Sequence, residues 1–276
     1  MSTMALTAQL NAPAERAKTT PWRAVLDALV VMERNLIAYT RVPEALFFSS
    51  VQPVMFVLLF RYVFGGAIKV VGIRGGYVNF LMPGIFVQTV CFGSVSTSIG
   101  LAEDLQKGII ERFRSLPMAR SAVLAGRTLA DLARNVLVVI IITGVGYAVG
   151  FRVEAVVGFL AGVALLLLFA YCLSWGFAVI GLSAANSETA QVMAFPILFP
   201  LTFAAGTFVP VSTMPGWLQG FAKYQPVGEV SAAARSLMVG GPGGAASHVI
   251  GTLLWCLGVL VVLAPIAVWK YRTRTA

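Results

Sequence analysis

Val156–Ala184, VVGFLAGVALLLLFAYCLSWGFAVIGLSA, contains no charged residue. As a helix it exceeds the roughly 20 apolar residues needed to cross the hydrocarbon of a bilayer. The chain around it repeats the pattern. Only Ala185–Glu188 separate it from a second apolar stretch, Thr189–Val209. Upstream lie Glu44–Phe64, Tyr77–Leu101 and Ala122–Gly150, the last with a polar first half. Downstream, a long segment from Pro210 to Ser247 precedes His248–Trp269. The expected fold class is an all-α integral membrane protein with six transmembrane helices.

Composition agrees. The 276 residues are 58% hydrophobic and 11% charged, with a mean hydropathy of +0.86. A soluble domain keeps about a quarter of its residues charged, so lipid must cover much of this chain. The charges fall between the apolar blocks and no polar linker divides them, which predicts one membrane domain over 21–276. Residues 1–20 are polar and Ala-rich, with no apolar core behind a basic start, so they are expected to be a disordered cytoplasmic tail and not a secretory signal.

The net charge of +9 does not imply nucleic acid, because most Lys and Arg residues flank apolar runs, as cytoplasmic loops do. With the N-terminus inside, the inner segments carry Arg16, Lys18, Arg23, Arg34, Arg41, Lys107, Arg112, Arg114, Arg120, Arg127, Lys270, Arg272 and Arg274. The outer ones carry only Arg61, Lys69, Arg74, Arg152, Lys223 and Arg235. That bias predicts both termini cytoplasmic, in the plasma membrane. Cys91, Cys172 and Cys256 lie inside apolar runs without metal or disulfide spacing. His248 is the only histidine.

Trp22–Tyr39 precedes the first span. Trp22, Val25, Leu29, Met32 and Leu36 recur at helical spacing, while Arg23, Asp27 and Arg34 gather elsewhere. The pattern predicts an amphipathic helix along the membrane surface, and a helix packed on protein would look similar. After the second span, Leu105, Ile109, Ile110, Phe113 and Leu116 form an apolar stripe within Glu103–Arg120, closed near Pro117. Lys107 and Glu111 stand four apart and can pair. An ordinary interfacial loop helix fits this pattern, and so does a helix that docks on another protein.

The run EDLQKGIIERFRSLPMARSAVLAGRTLAD, from Glu103 to Asp131, resembles the signature of the ABC type-2 permeases, especially the daunorubicin/doxorubicin-resistance exporter branch. The residues that carry the resemblance are Glu103, Asp104, Gly108, Glu111, Pro117, Arg120, Gly126 and Arg127. Pro215-Gly216-Trp217, Gln225-Pro226-Val227, Ala234-Arg235 and Gly240 are similar to the same family's outer segment. The resemblance implies a cytoplasmic coupling helix, with Glu103, Asp104, Gly108, Glu111, Arg112, Pro117 and Arg120 docking on a separate ATP-binding-cassette ATPase that carries ATP and Mg. It also implies a second permease copy or paralogue and short outer re-entrant helices within Trp217–Met238, for which a plain interfacial helix is the alternative. This chain holds no cofactor in that reading and is not itself an enzyme. Consistently, no G-x-x-x-x-G-K-[ST] phosphate loop occurs, and the glycine-rich Gly240–Gly244 lacks its lysine.

Arg127, Asp131 and Arg134 can share one face of the third span, with Asp131 between two guanidiniums as an ion-paired latch. The alternative, which the sequence favours, is that this helix begins in the cytoplasm and the three are solvated. The family's second and fifth spans line its route, which makes Phe86, Gln88, Phe92, Phe195, Phe199 and Phe203 candidate contacts for a lipophilic drug, antibiotic or lipid. Packing or lipid-facing aromatics are the plainer reading. Pro196 and Pro200 should loosen the fifth span.

Other classes fit less well. An ion-coupled secondary transporter places acids near the bilayer midplane, whereas Asp131 and Glu188 fall toward the inner face. A membrane enzyme needs a nucleophile–base or metal constellation, which one histidine and three scattered cysteines do not supply. A scaffold without transport stays open.

Overall fold

A computed structural model describes residues 21–41, 43–68, 73, 75–109, 120–240 and 245–274. Among the described residues there is helix and turn but no strand. The helices are α1 (Pro21–Arg41), α2 (Pro43–Leu59, continued by a π-helical turn Phe60–Phe64), α3 (Gly76–Gln106), α4 (Arg120–Ala148) and α5 (Val156–Ser183). They continue with α6 (Ser187–Phe203), α7 (Gly216–Tyr224), α8 (Pro226–Val239) and α9 (Ala245–Arg274). Four of them, α3, α4, α5 and α9, are long and apolar enough to cross a membrane. The expected first and fifth spans coincide with shorter apolar helices, α2 and α6, each of 17 residues.

The core is α3. Every residue from Tyr77 through Cys91 is buried, because α2, α4, α5, α6 and α8 all pack on it. A helix enclosed on all sides must be apolar on all sides, and Phe80, Leu81, Met82, Ile85, Phe86, Val87 and Val90 meet that demand. Close backbone approach needs small residues. Gly181 of α5 lies against the Ser98 backbone, and Gly84 of α3 against the Thr207 carbonyl, where a Cβ would collide. By contrast α9 packs on α5 and α8 and leaves Ile250, Leu254, Leu257, Val261 and Val262 uncovered. That is the outer wall of a bundle solvated by lipid.

Several boundaries differ from the sequence reading. The helix of the second span does not stop at Leu101 but runs unbroken to Gln106, where Gly108, at φ +63°, takes the left-handed turn that only glycine adopts freely. The fifth span ends at Phe203 instead of Val209. Pro196 and Pro200 each withdraw a backbone donor from α6, and the chain then turns at Gly206 while Thr207 Oγ1 donates to the Thr202 carbonyl at 2.8 Å.

The amphipathic helix is present as α1, but its packed face is not the predicted stripe. Ala28, Val31 and Asn35 are buried, whereas Trp22, Val25 and Leu29 are exposed. The reason is α4: Gly126 brings its backbone against the Ala28 carbonyl and the Val31 side chain. Small residues therefore hold α1 to protein, and the large apolar ones are left for lipid.

The segment before the last span folds as α7 and α8. Gln225 caps α8 by accepting from the Val227 N–H at 3.2 Å, and Pro226 fills the first turn. Val227, Val230, Ala233, Ala234 and Met238 of α8 are buried in the bundle, while α7 exposes Trp217, Phe221 and Tyr224. Arg235 anchors α8 to α3: its guanidinium stacks 3.8 Å from the Phe80 ring and donates to the Phe80 and Gly206 carbonyls at 3.1 and 3.0 Å. His248 of α9 meets Glu229 of α8 at 2.8 Å.

Candidate functional site

The polar run Ser94–Ser98 sits within α3 and turns part of its hydroxyls toward α4. Ser96 Oγ donates to Asp131 Oδ1 at 2.8 Å and Thr97 Oγ1 to Oδ2 at 2.6 Å. The Tyr39 hydroxyl of α1 donates to Oδ1 as well. Arg127 Nε lies 3.6 Å from Oδ2, and its Nη2 donates to the Ser96 carbonyl at 3.3 Å. Arg127 fits there because residue 100 is glycine; a Cβ would collide with the guanidinium. Asp131 is thereby fully buried. An ionised carboxylate out of water is tolerable only when paired and hydrogen-bonded, and this one has four partners. Burial and the Asp131 charge push the Tyr39 hydroxyl up to about 12, so it remains a donor at physiological pH.

This corrects two expectations. The acid is not solvated, because α1 and α3 cover the N-terminal half of α4. Nor do two guanidiniums bracket it. Arg134 turns the other way, donating to the Gly93 carbonyl at 2.6 Å and to Asn135 Oδ1 at 3.4 Å, with its guanidinium 5.8 Å from the Tyr39 ring.

At the C-terminal end of α3, Asp104 is buried and pairs with Arg34 of α1 at 3.2 Å. Glu103 is partly buried and pairs with Lys107 at 3.5 Å. Glu111, Arg112 and Pro117 lie outside the described residues, as does any Lys107–Glu111 pair, and Arg120 begins α4.

Beside Gly93 a cleft of about 220 Å³ opens between four helices. Its walls come from Gln52, Pro53 and Phe56 of α2, Gln88, Phe92 and Ile99 of α3, Arg134, Asn135 and Val138 of α4, and Gln191 and Phe195 of α6. Of the expected route residues, Gln88, Phe92 and Phe195 line it. Phe199 is next in line, its ring 5.8 Å from that of Phe92. The rings then continue away from the cleft: Phe203 stacks 5.3 Å from Phe199, Phe208 lies 5.1 Å from Phe203, Phe60 4.5 Å from Phe208, and Phe64 5.2 Å from Phe60. Phe86 does not belong to this set. Two residues turn a helix by about 200°, so Phe86 faces away from the cleft that Gln88 lines. It is fully buried, 6.1 Å from both Phe151 and Phe159.

The cleft has polar atoms without partners. Gln88 is 3% exposed and Asn135 1% exposed, yet the Gln88 amide makes no hydrogen bond at either atom, and Asn135 Nδ2 and Arg134 Nε make none. Buried polar groups in native proteins are ordinarily paired.

The amino-acid sequence of this bundle matches one family model. The model described as ABC-2 type transporter covers residues 27–239. The chain belongs to the ABC-2 type transporter family. Among curated relatives, "Daunorubicin resistance ABC transporter permease protein DrrB1" of Streptomyces coeruleorubidus is 33% identical over 256 residues, 92% of this chain and 88% of that protein. "Probable doxorubicin resistance ABC transporter permease protein DrrC" of Mycobacterium tuberculosis is 27% identical over 253 residues, 91% of this chain and 90% of that protein. "Inner membrane transport permease YadH" of Escherichia coli is 27% identical over 186 residues, 65% and 71% respectively. This is therefore a multi-pass membrane permease subunit, a transport component whose energy comes from an ABC ATPase partner.

Sequence reasoning missed Tyr39, Ser96, Thr97, Arg34 and Asn135 in this permease. For Ser96 and Thr97 a signal existed, since the hydroxyl run SVSTS interrupts an otherwise apolar span. Tyr39 and Arg34 carried none, because their partners lie 92 and 70 residues away.

Proposed function

We propose that this permease exports a lipophilic or amphipathic compound (drug, antibiotic or lipid) from the cytoplasm or inner leaflet through the cleft between α2, α3, α4 and α6. It crosses the plasma membrane six times, through α2, α3, α4, α5, α6 and α9, with both termini cytoplasmic and α7–α8 as short helices capping the outer end. It pairs with a second copy or a paralogue and with two ATPase subunits that bind ATP and Mg. The ATPases act on the segment from Glu103 to Arg120, and the Arg127–Asp131 cluster carries the displacement into α3 and α4. Rigid helices with two packed arrangements convert such a push into alternating access.

The observation that supports this reading best is the cleft itself: a space inside the bundle with aromatic walls, joined to a file of phenylalanine rings leading outward. The drug-resistance names of the relatives favour lipophilic cargo. The test is ATP-driven movement of a lipophilic fluorescent dye by vesicles holding the permease and its ATPase. Phe92→Ala and Phe195→Ala should change dye transport several-fold with the complex intact, while Phe86→Leu should lower stability only. Unaltered transport in the first two variants would remove the cleft from the route.

A further inference from the structure

The turn that follows α6 closes one end of the cleft. We propose that residues 204–209 are its gate, with Phe208 as the plug and with Tyr77 and Arg235 as the side chains that hold it shut. This rests on the cleft being the substrate route.

Ala205, Thr207 and Phe208 are buried, although the segment is not helical. Irregular backbone within a membrane bundle is tolerated only where protein covers it or where it lines a cavity. Its carbonyls then need partners. The Tyr77 hydroxyl of α3 donates to the Phe208 carbonyl at 3.0 Å, and Arg235 of α8 donates to the Gly206 carbonyl at 3.0 Å. Within the turn, Thr207 Oγ1 donates to the Thr202 carbonyl at 2.8 Å. Gly84 of α3 leaves the space that the Thr207 carbonyl occupies. The segment therefore hangs from α3 and α8.

What it holds in place is a ring. Phe208 is 4% exposed, and its centroid lies 4.5 Å from Phe60, 5.1 Å from Phe203 and 6.0 Å from Phe56. Phe56 is itself a wall of the cleft. Rings this close leave no passage between α2 and α6. Cargo moving past Phe56 along the file must part them.

The surroundings suit a part that moves. Pro196 and Pro200 leave the last turns of α6 short of backbone bonds, and Gly206, at φ +65°, supplies the bend. Opposite, α2 passes into the π-helical turn Phe60–Phe64, a form frequent at functional sites. Arg235 forms no ion pair among the described residues; it holds two carbonyls and the face of Phe80. Releasing a carbonyl strands no buried counter-charge, as breaking a buried ion pair would. The latch is thus firm and reversible.

The experiment uses the permease–ATPase complex in vesicles that export dye. Thr207→Cys, or Ala205→Cys should the first fail to assemble, is exposed to N-ethylmaleimide, and adducts are counted by mass spectrometry with the parent as blank. Labelling should be slow without nucleotide and at least roughly tenfold faster with ATP, Mg and vanadate. Adding Tyr77→Phe or Arg235→Met should raise the nucleotide-free rate and leave the other unchanged. Equal labelling in both states overturns the gate and leaves the route standing. State-dependent labelling that neither Tyr77→Phe nor Arg235→Met alters overturns the latch. Unaltered dye export by Phe92→Ala and Phe195→Ala overturns the route, and the gate with it.

Discussion

Tyr39 and Asp131, 92 residues apart in the chain, are joined by a hydrogen bond between α1 and the spanning helix α4. The same carboxylate holds Ser96 and Thr97 of α3. One side chain thus fastens three helices. About two turns further along α3, Arg34 of α1 pairs directly with Asp104.

Tyr39→Phe removes one donor from a buried carboxylate and nothing else. Hydrogen bonds to charged groups contribute about 1.5–3 kcal/mol. The detergent-solubilised permease should unfold at a lower temperature, and dye export should fall relative to ATP hydrolysis. A variant with unchanged melting and unchanged transport per ATP would show that the bond carries no load between α1 and α4.

Asp131→Leu leaves the Arg127 guanidinium buried without its partner. Breaking a buried pair on one side costs about 3–5 kcal/mol, whereas replacing both partners by apolar groups is milder. The double variant Arg127→Met/Asp131→Leu should therefore be more stable than Asp131→Leu alone, measured by thermal unfolding in detergent. Additive losses would mean that the two groups do not interact.

Gly181→Leu drives a side chain into the Ser98 backbone at the contact of α5 with α3. Overpacking a tight interface costs typically about 1–3 kcal/mol, and backbone cannot move aside as a side chain can. Folded yield should drop sharply, while Gly144→Leu on α4, where a Cβ meets nothing, should be tolerated. Size-exclusion profiles of the two variants, compared with the parent, check this.

Glu103→Ala and Glu111→Ala test the coupling segment. Each should separate ATP hydrolysis from export, leaving an assembled complex that hydrolyses ATP and moves little dye. Export per ATP equal to that of the parent would take these acids out of the coupling surface.

What could be read in advance follows from where the determinants lie. Four of the expected spans, now α3, α4, α5 and α9, were legible because lipid imposes a local rule, long apolar runs, that Val156–Ala184 satisfies without reference to any neighbour. The end of α6 was not, since Pro196 and Pro200 shorten the helix only in combination with the Gly206 turn. The face of α1 was misread because Ala28 and Val31 matter through Gly126 of α4, a contact that hydropathy does not register. Asp131 looked like a solvated charge for the same reason: its burial is made by α1 and α3, far away in sequence. Within the cleft, Gln88, Phe92 and Phe195 were accessible to family resemblance, and Phe86 fell out on helical angle alone.

The most direct measurement is energisation. Vesicles holding this permease and its ATPase, loaded with a lipophilic fluorescent probe, should move the probe on addition of ATP and Mg and stop when the nucleotide is withdrawn. Transport by the permease alone, driven by a proton or sodium gradient with no nucleotide present, would contradict the account.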